Sequence, residues 1–135
     1  RPNLPNVGSL KQFNLETCVS TEPDLVILSA KVPDAVAKLD EAGTLCCLTV
    51  DSPLEGLDSL LSHAEQAVRE GADPIRVMRM ITINPAKVIG LDAELGSIEV
   101  GKYANFAVFK GLPGTDMGAH VVYTIGEGSV LYHRN

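Results

Sequence analysis

Between residues 24 and 71 the apolar positions switch period from one segment to the next. Asp24 to Ser29 (DLVILS) and Thr44 to Val50 (TLCCLTV) are continuous apolar runs of strand length, the second rich in β-formers. Between them, Val32, Val36 and Leu39 fall at helical spacing with Ala35 beside them, which predicts a helix over Lys31 to Gly43 with Gly43 as its C-cap. A longer helix is predicted over Leu54 to Glu70. Leu57, Leu60, Leu61, Ala64, Ala67 and Val68 form its apolar stripe, and Gly71 ends it. Strand, helix, strand, helix implies a parallel strand pair joined by a crossover. Upstream, Asn14 to Ser20 predicts a short helix with Asn14 as N-cap and Glu16 in the first turn, stopped before Pro23. Residues 1–13 carry two Pro, a Gly and three Asn or Ser, and read as a loop or an ordered arm.

Beyond Gly71 the punctuation changes. Asp73-Pro74 opens a helix with Asp as N-cap and Pro at the first helical position, and Ile75, Val77, Met78 and Ile81 carry it to Thr82. Met78 and Met80 are two apart, so only one of them faces the core. Asn84-Pro85 predicts a further short helix opened by the same device and ended at Gly90. From there glycines separate short apolar runs, read as strands over 97–100, 105–110, 120–125 and 129–133. Gly126-Glu127-Gly128 joins the last two as a tight hairpin. The predicted fold class is α/β: a partial parallel α/β unit, then helices and a small β-rich segment of sandwich-like hairpins. The domain division is 1–71 for the strand–helix–strand–helix unit and 72–135 for the helical connector and β-rich segment.

Composition narrows the function. The chain has 135 residues, 45% apolar and 21% charged, with few aromatics and no Trp, so its core is built from Leu, Val, Ile and Ala. A net charge of −6 with no clustered basic face excludes nucleic acid as a partner. No apolar run reaches the roughly 18 residues that cross a membrane, and the first ten residues lack the apolar stretch of a signal peptide. Cys18, Cys46 and Cys47 are odd in number, and two are adjacent within an apolar strand. They read as small buried hydrophobes in a reducing, cytoplasmic compartment rather than as a disulfide framework. Both members of the Cys46–Cys47 pair are buried only if both faces of that strand are covered.

A family resemblance rests on specific residues. Met80 to Lys87 (MITINPAK), Gly90-Leu91, Gly96 to Lys102 (GSIEVGK) and Ala104 to Phe109 resemble the C-terminal signature of the amidohydrolase superfamily, in particular its imidazolonepropionase-like members. The hairpin from Val121 to Tyr132 resembles the small β-sandwich beside that family's barrel. Asn105 and the region of Tyr103 depart from the acidic residues usual there. Glu41-Ala42-Gly43, the strand to Val50 and Asp51-Ser52-Pro53 resemble the last barrel strand, whose aspartate orients or deprotonates the attacking water. The resemblance therefore makes Asp51 the candidate catalytic residue, a general base in hydrolysis of a non-peptide C–N bond of a cyclic amide or amidine. The first third, Asn14 to Gly43, resembles instead a lobe of periplasmic cobalamin or siderophore binding proteins. A ligand-binding lobe of a chelate-binding transport protein, and a shuffled or engineered chimera, are thus the alternative readings.

The cofactor stays unknown at this point. The resembled family uses zinc, and a catalytic zinc needs about three protein ligands plus an open position for water. The family's paired first-strand histidines have no counterpart, and His63, His120 and His133 offer no matching spacing. His120 and His133 open and close the terminal hairpin, where they read as cross-strand neighbours. No residue is assigned to a metal, so the chain is read as non-catalytic alone. Thr49, Asp51 and Ser52 cluster where a strand ends before a helix, the edge at which open α/β sheets bind ligands; Thr49 and Ser52 are the candidate ligand-binding residues. A closed (β/α)₈ barrel takes about 250 residues. Two barrel-type strands leave edges unpaired, so a homodimer through those edges is expected beside a small-molecule substrate.

Overall fold

The computed structural model describes residues 5–9, 12–28, 33–49, 57–113 and 115–134. Twelve elements follow one another: β1 (Gly8–Ser9), β2 (Gln12–Phe13), α1 (Leu15–Ser20), β3 (Leu25–Leu28), α2 (Pro33–Glu41), β4 (Leu45–Leu48), α3 (Leu57–Arg69), α4 (Pro74–Met80), α5 (Ile83–Val88), β5 (Phe106–Lys110), β6 (His120–Gly126) and β7 (Ser129–His133). The arrangement is the predicted α/β class. β3 and β4 pair in parallel with Leu25 against Leu45 and Leu28 against Leu48, and α2 is the crossover between them. β5, β6 and β7 form a separate antiparallel sheet in that order.

Local chemistry sets the helix ends. The Asn14 side chain accepts the Thr17 N–H at 2.9 Å, as its predicted N-cap role requires. Asp73 accepts the Arg76 N–H at 2.9 Å, with Pro74 at the start of α4. At the end of α2 the chain turns through Gly43, and the Thr44 N–H returns to the Leu39 carbonyl at 2.9 Å. The last hairpin turns on Glu127 and Gly128, both with positive φ (49° and 80°), between the paired residues Gly126 and Ser129. Two successive left-handed residues are what a two-residue turn of type I′ requires.

The core lies between the parallel pair and the helices. Leu28, Cys46 and Leu48 meet Ala35, Val36 and Leu39 of α2, Ala64 and Ala67 of α3, and Val77 and Met80 of α4. Cys18 of α1 and Ala72 belong to the same cluster. Met80 is buried and Met78 only half-buried, as their spacing demands. Small residues at the contacts, Ala35, Ala64, Ala67 and Ala72, let α2, α3 and α4 share one interior.

The structure departs from the sequence expectations in three places. Residues 8–13 include a two-residue antiparallel ladder, β1 with β2, within the segment read as a loop or arm. Residues 97–100 are a bend and irregular backbone leading into a turn rather than a strand. Gly96 sits at φ +89°, with an ideal Cβ position 2.8 Å from the Ile83 Cα, so the chain bends tightly against α5 there. Ser97, Glu99 and Lys102 then satisfy one another across the turn, and no ladder is needed. Finally, α5 begins at Ile83 and not at Pro85. Thr82 stands at the N-cap without a side-chain cap bond, because its hydroxyl donates to the Met78 carbonyl at 2.6 Å.

Candidate functional site

Alternation along β3 and β4 divides their side chains between two faces. Val26, Leu28, Cys46 and Leu48 turn to the helices and join the core. Leu25, Ile27, Leu45, Cys47 and Thr49 have the opposite parity. Cys46 and Cys47 are both buried, so β4 is covered on both faces. β3 is not: Ile27 remains 62% exposed.

Thr49 follows β4 directly. It is half-buried, and its N–H donates to the Leu28 carbonyl at 2.9 Å, extending the parallel ladder by one step. It therefore stands at the C-terminal end of the pair, where the sequence placed the candidate site. Asp51 and Ser52, the other members of that cluster, lie outside the described residues.

Asn84 is a residue whose role sequence reasoning missed. It is not the N-cap predicted for α5. Its side chain is buried, and Nδ2 donates to the Cys46 carbonyl at 2.7 Å, across 38 residues of sequence. The direction of that carbonyl follows from the ladder. Leu45 and Thr49 donate their N–H groups to the carbonyls of Asp24, just before β3, and of Leu28 at its end. By alternation the N–H and C=O of Cys46 point the other way, to the outer edge of β4. Asn84 thus takes a carbonyl that a further strand on that edge would use. The available signal was a polar residue at helical spacing, seven and four residues, from buried Val77 and Met80.

The remaining reactive groups do not converge. The three cysteines are free and buried. Burial pushes the Cys47 thiol up from its ordinary value, which disfavours the thiolate a nucleophile needs. The His63 Nδ1 lies 2.7 Å from the Ser59 carbonyl of its own helix. His120 and His133 are not cross-strand neighbours, contrary to the expectation: His120 pairs with Lys110, and His133 pairs with Tyr123 and stacks on its ring at 4.5 Å. Among the described residues no three His, Cys, Asp or Glu side chains come together as metal ligands.

Two hollows lie beside α5 and the 92–107 segment. One, of about 440 Å³, is lined by apolar and hydroxyl groups including Met78, Thr82, Ile98, Tyr103 and Phe106. The other, of about 490 Å³, has Lys87, Asp92, Glu99 and Lys102 at its walls. Ser97, which lines the first hollow, links its neighbours in the second: Ser97 Oγ donates to Glu99 Oε1 at 2.5 Å and Lys102 Nζ donates to Ser97 Oγ at 2.5 Å. The Ser97 hydrogen bond, and after it Lys102, hold the Glu99 carboxyl below its ordinary range. The acid and base here neutralise each other, so the cluster ties the turn together.

Comparison with known proteins accounts for this architecture. The amidohydrolase family profile matches residues 16–132. It takes in residues 16–43 as well, so one family accounts for the segment that resembles a binding-protein lobe. An imidazolonepropionase of Thermoplasma acidophilum is 33% identical over 116 residues, 79% of this chain and 28% of that protein. An adenine deaminase of Moorella thermoacetica is 40% identical over 53 residues, 38% of this chain and 9% of that protein. The crystal structure of an amidohydrolase from Thermotoga maritima superposes with a TM-score of 0.65 at 35% identity, covering 76% of this chain and 26% of that one. The chain thus spans about a quarter of the length of the imidazolonepropionase and of the Thermotoga structure. Parallel pair, crossover helix and terminal sheet together fall within one matched stretch, and the chain belongs to the amidohydrolase family.

Proposed function

We propose that this chain is the C-terminal portion of a metal-dependent amidohydrolase that hydrolyses non-peptide C–N bonds in cyclic amides or amidines, and that it does not turn over substrate by itself. One observation carries the reading. The family match runs across a parallel strand pair whose C-terminal end is held in register at Thr49. Chain order puts Asp51 and Ser52 two and three residues past Thr49. In the whole enzyme Asp51 acts as general base, taking a proton from the attacking water, and Thr49 and Ser52 contact the substrate. A positioned general base is worth about 10²–10⁴ in rate. Three free, buried thiols suit a reducing, cytoplasmic setting.

The test is metal analysis of the purified chain after incubation with zinc, alongside an assay of imidazolone-type ring opening. Zinc well below one ion per chain and no turnover are expected. Stoichiometric zinc, or hydrolysis that Asp51→Asn leaves unchanged, overturns the proposal.

A further inference from the structure

We infer that a hollow at the N-terminal end of the parallel pair is a second ligand site, and that it takes a primary alkylammonium cation. It lies at the opposite end of β3 and β4 from Thr49, so the inference is independent of the catalytic reading.

The hollow measures about 530 Å³, the size of a small organic molecule rather than of a bare ion. Val19, Glu22, Pro23, Asp24, Ala42 and Thr44 are among its walls. Two loops bring them together. After α1 the Thr21 and Glu22 N–H groups return to the Cys18 and Val19 carbonyls, and the chain enters β3 through Glu22, Pro23 and Asp24. After α2 it turns through Ala42 and Gly43, and Thr44 leads into β4. The Leu45 N–H donates to the Asp24 carbonyl at 3.2 Å, which ties the two loops together at the edge of the hollow.

One buried group carries the assignment. Thr44 is only 8% exposed, and its hydroxyl has no hydrogen-bond partner among the described residues. A buried hydroxyl without a partner is destabilising, and a ligand in the hollow would satisfy it. Thr44 has the parity of Cys46 and Leu48, and Asp24 that of Val26 and Leu28, so both turn to the helix side of the pair. The register of Leu25 with Leu45, carried one step back, sets Asp24 beside Thr44 at roughly 5 Å.

The other polar side chains of the hollow are carboxylates. Glu22 and Asp24 are exposed while Thr44 is buried, so the carboxylates form the mouth and the hydroxyl the floor. Neither carboxylate has a hydrogen bond or ion pair among the described residues. No Lys, Arg or aromatic residue lines the hollow, and Lys38 in the last turn of α2 is exposed outside it. The carbonyl end of α2 adds partial negative charge. The occupant is therefore cationic. An alkylammonium group offers three N–H donors, one for each carboxylate and one for the Thr44 hydroxyl oxygen. A quaternary ammonium has no such donors and is held by aromatic faces, which the hollow lacks. Val19, Pro23 and Ala42 supply an apolar wall for the alkyl chain.

Titration of the intact, isotope-labelled chain with butylammonium chloride at low ionic strength, followed by NMR, tests this. Saturable shifts of the Glu22, Asp24 and Thr44 amides are expected in the millimolar range. Butanol should give none, and tetramethylammonium, which carries the charge without donors, much weaker ones. Glu22→Gln and Asp24→Asn each remove a carboxylate charge at an exposed position and should each weaken binding about fivefold. Thr44→Val keeps the β-branched shape and should weaken binding by a similar factor. Its urea midpoint without ligand should be unchanged or raised, because a buried group without a partner is removed. No saturable shift with butylammonium, equal shifts with butanol, tetramethylammonium or magnesium, or unchanged binding in the Glu22→Gln, Asp24→Asn double variant each overturns the assignment. So does a Thr44→Val chain that binds like the parent or unfolds at lower urea.

Discussion

The parallel pair and the antiparallel sheet hold their apolar residues in different ways. β3 and β4 are continuous apolar runs, and their Leu28, Cys46, Cys47 and Leu48 are buried. β7 is exposed at every position, with Val130, Leu131 and Tyr132 all in solvent, and β5 shows Val108 as well. The difference is one of layers. Helices α2, α3 and α4 supply the second layer that β4 needs. No described helix or sheet covers the antiparallel strands, which are held by their own ladders and by links such as Asn105 Oδ1 to the Glu127 N–H at 2.7 Å. Stability thus concentrates in the α/β half, and the terminal sheet is ordered more by hydrogen bonds than by burial.

The sharpest way to break this contrast is a pair of matched truncations. Leu39 is fully buried and Leu131 is 71% exposed. Leu39→Ala should cost about 2–5 kcal/mol in urea unfolding, and Leu131→Ala less than about 0.5 kcal/mol. Equal losses would show that the terminal sheet shares the core's energetics. Next in size is Gly96→Ala, at the joint between the halves. Its new Cβ would meet the Ile83 backbone at 2.8 Å from a left-handed conformation, for a cost of about 2–4 kcal/mol. Hydrogen exchange should show the loss reaching both α5 and β5; protection unchanged in both would argue against a rigid joint.

Asn84→Ala comes third. It removes the amide donor from a buried carbonyl and should lower stability by about 1–3 kcal/mol. Asn84→Asp, which places a carboxylate against that carbonyl, should be worse than Ala; the reverse order would mean that packing, not the hydrogen bond, matters. The smallest effect belongs to Glu99. Its pKa is lowered mainly by the Ser97 hydroxyl and then by Lys102. A carboxyl depressed in the folded state lends stability above its unfolded pKa and loses it as pH falls through the folded value. Ser97→Ala should therefore move the Glu99 titration upward, seen by NMR, with the thermal midpoint at neutral pH little changed because the group is exposed. Cys47 has the opposite sign: its raised pKa favours the fold below the unfolded thiol value, and that contribution fades as pH rises through the folded one.

What the sequence made legible is what local chemistry decides. Asn14, and Asp73 with Pro74, cap helices through bonds to residues three positions on, and both were read correctly. The two parallel strands were visible because apolar runs of that length between helices have few other uses. Asn84-Pro85 looked like the same capping device and was not, because its partner lies on a strand 38 residues away. Residues 97–100 alternate like a strand, but the glycines on either side and the Ser97–Lys102 link favour a closed turn. Thr49 sits at the strand end where it was sought. What stayed hidden was the partner of the outward Cys46 carbonyl, because it depends on a side chain arriving from another element.

The Asn84–Cys46 bond has a consequence for the order in which the molecule assembles. It closes a loop of 38 residues that contains all of α3 and α4. Loop closure of that span costs entropy that only a formed α/β interior can offset. The bond therefore forms after α3 and α4 have docked on β4. α5, and through it the terminal sheet, can then settle only on a framework already built, a late step in which the strand pair acts as template.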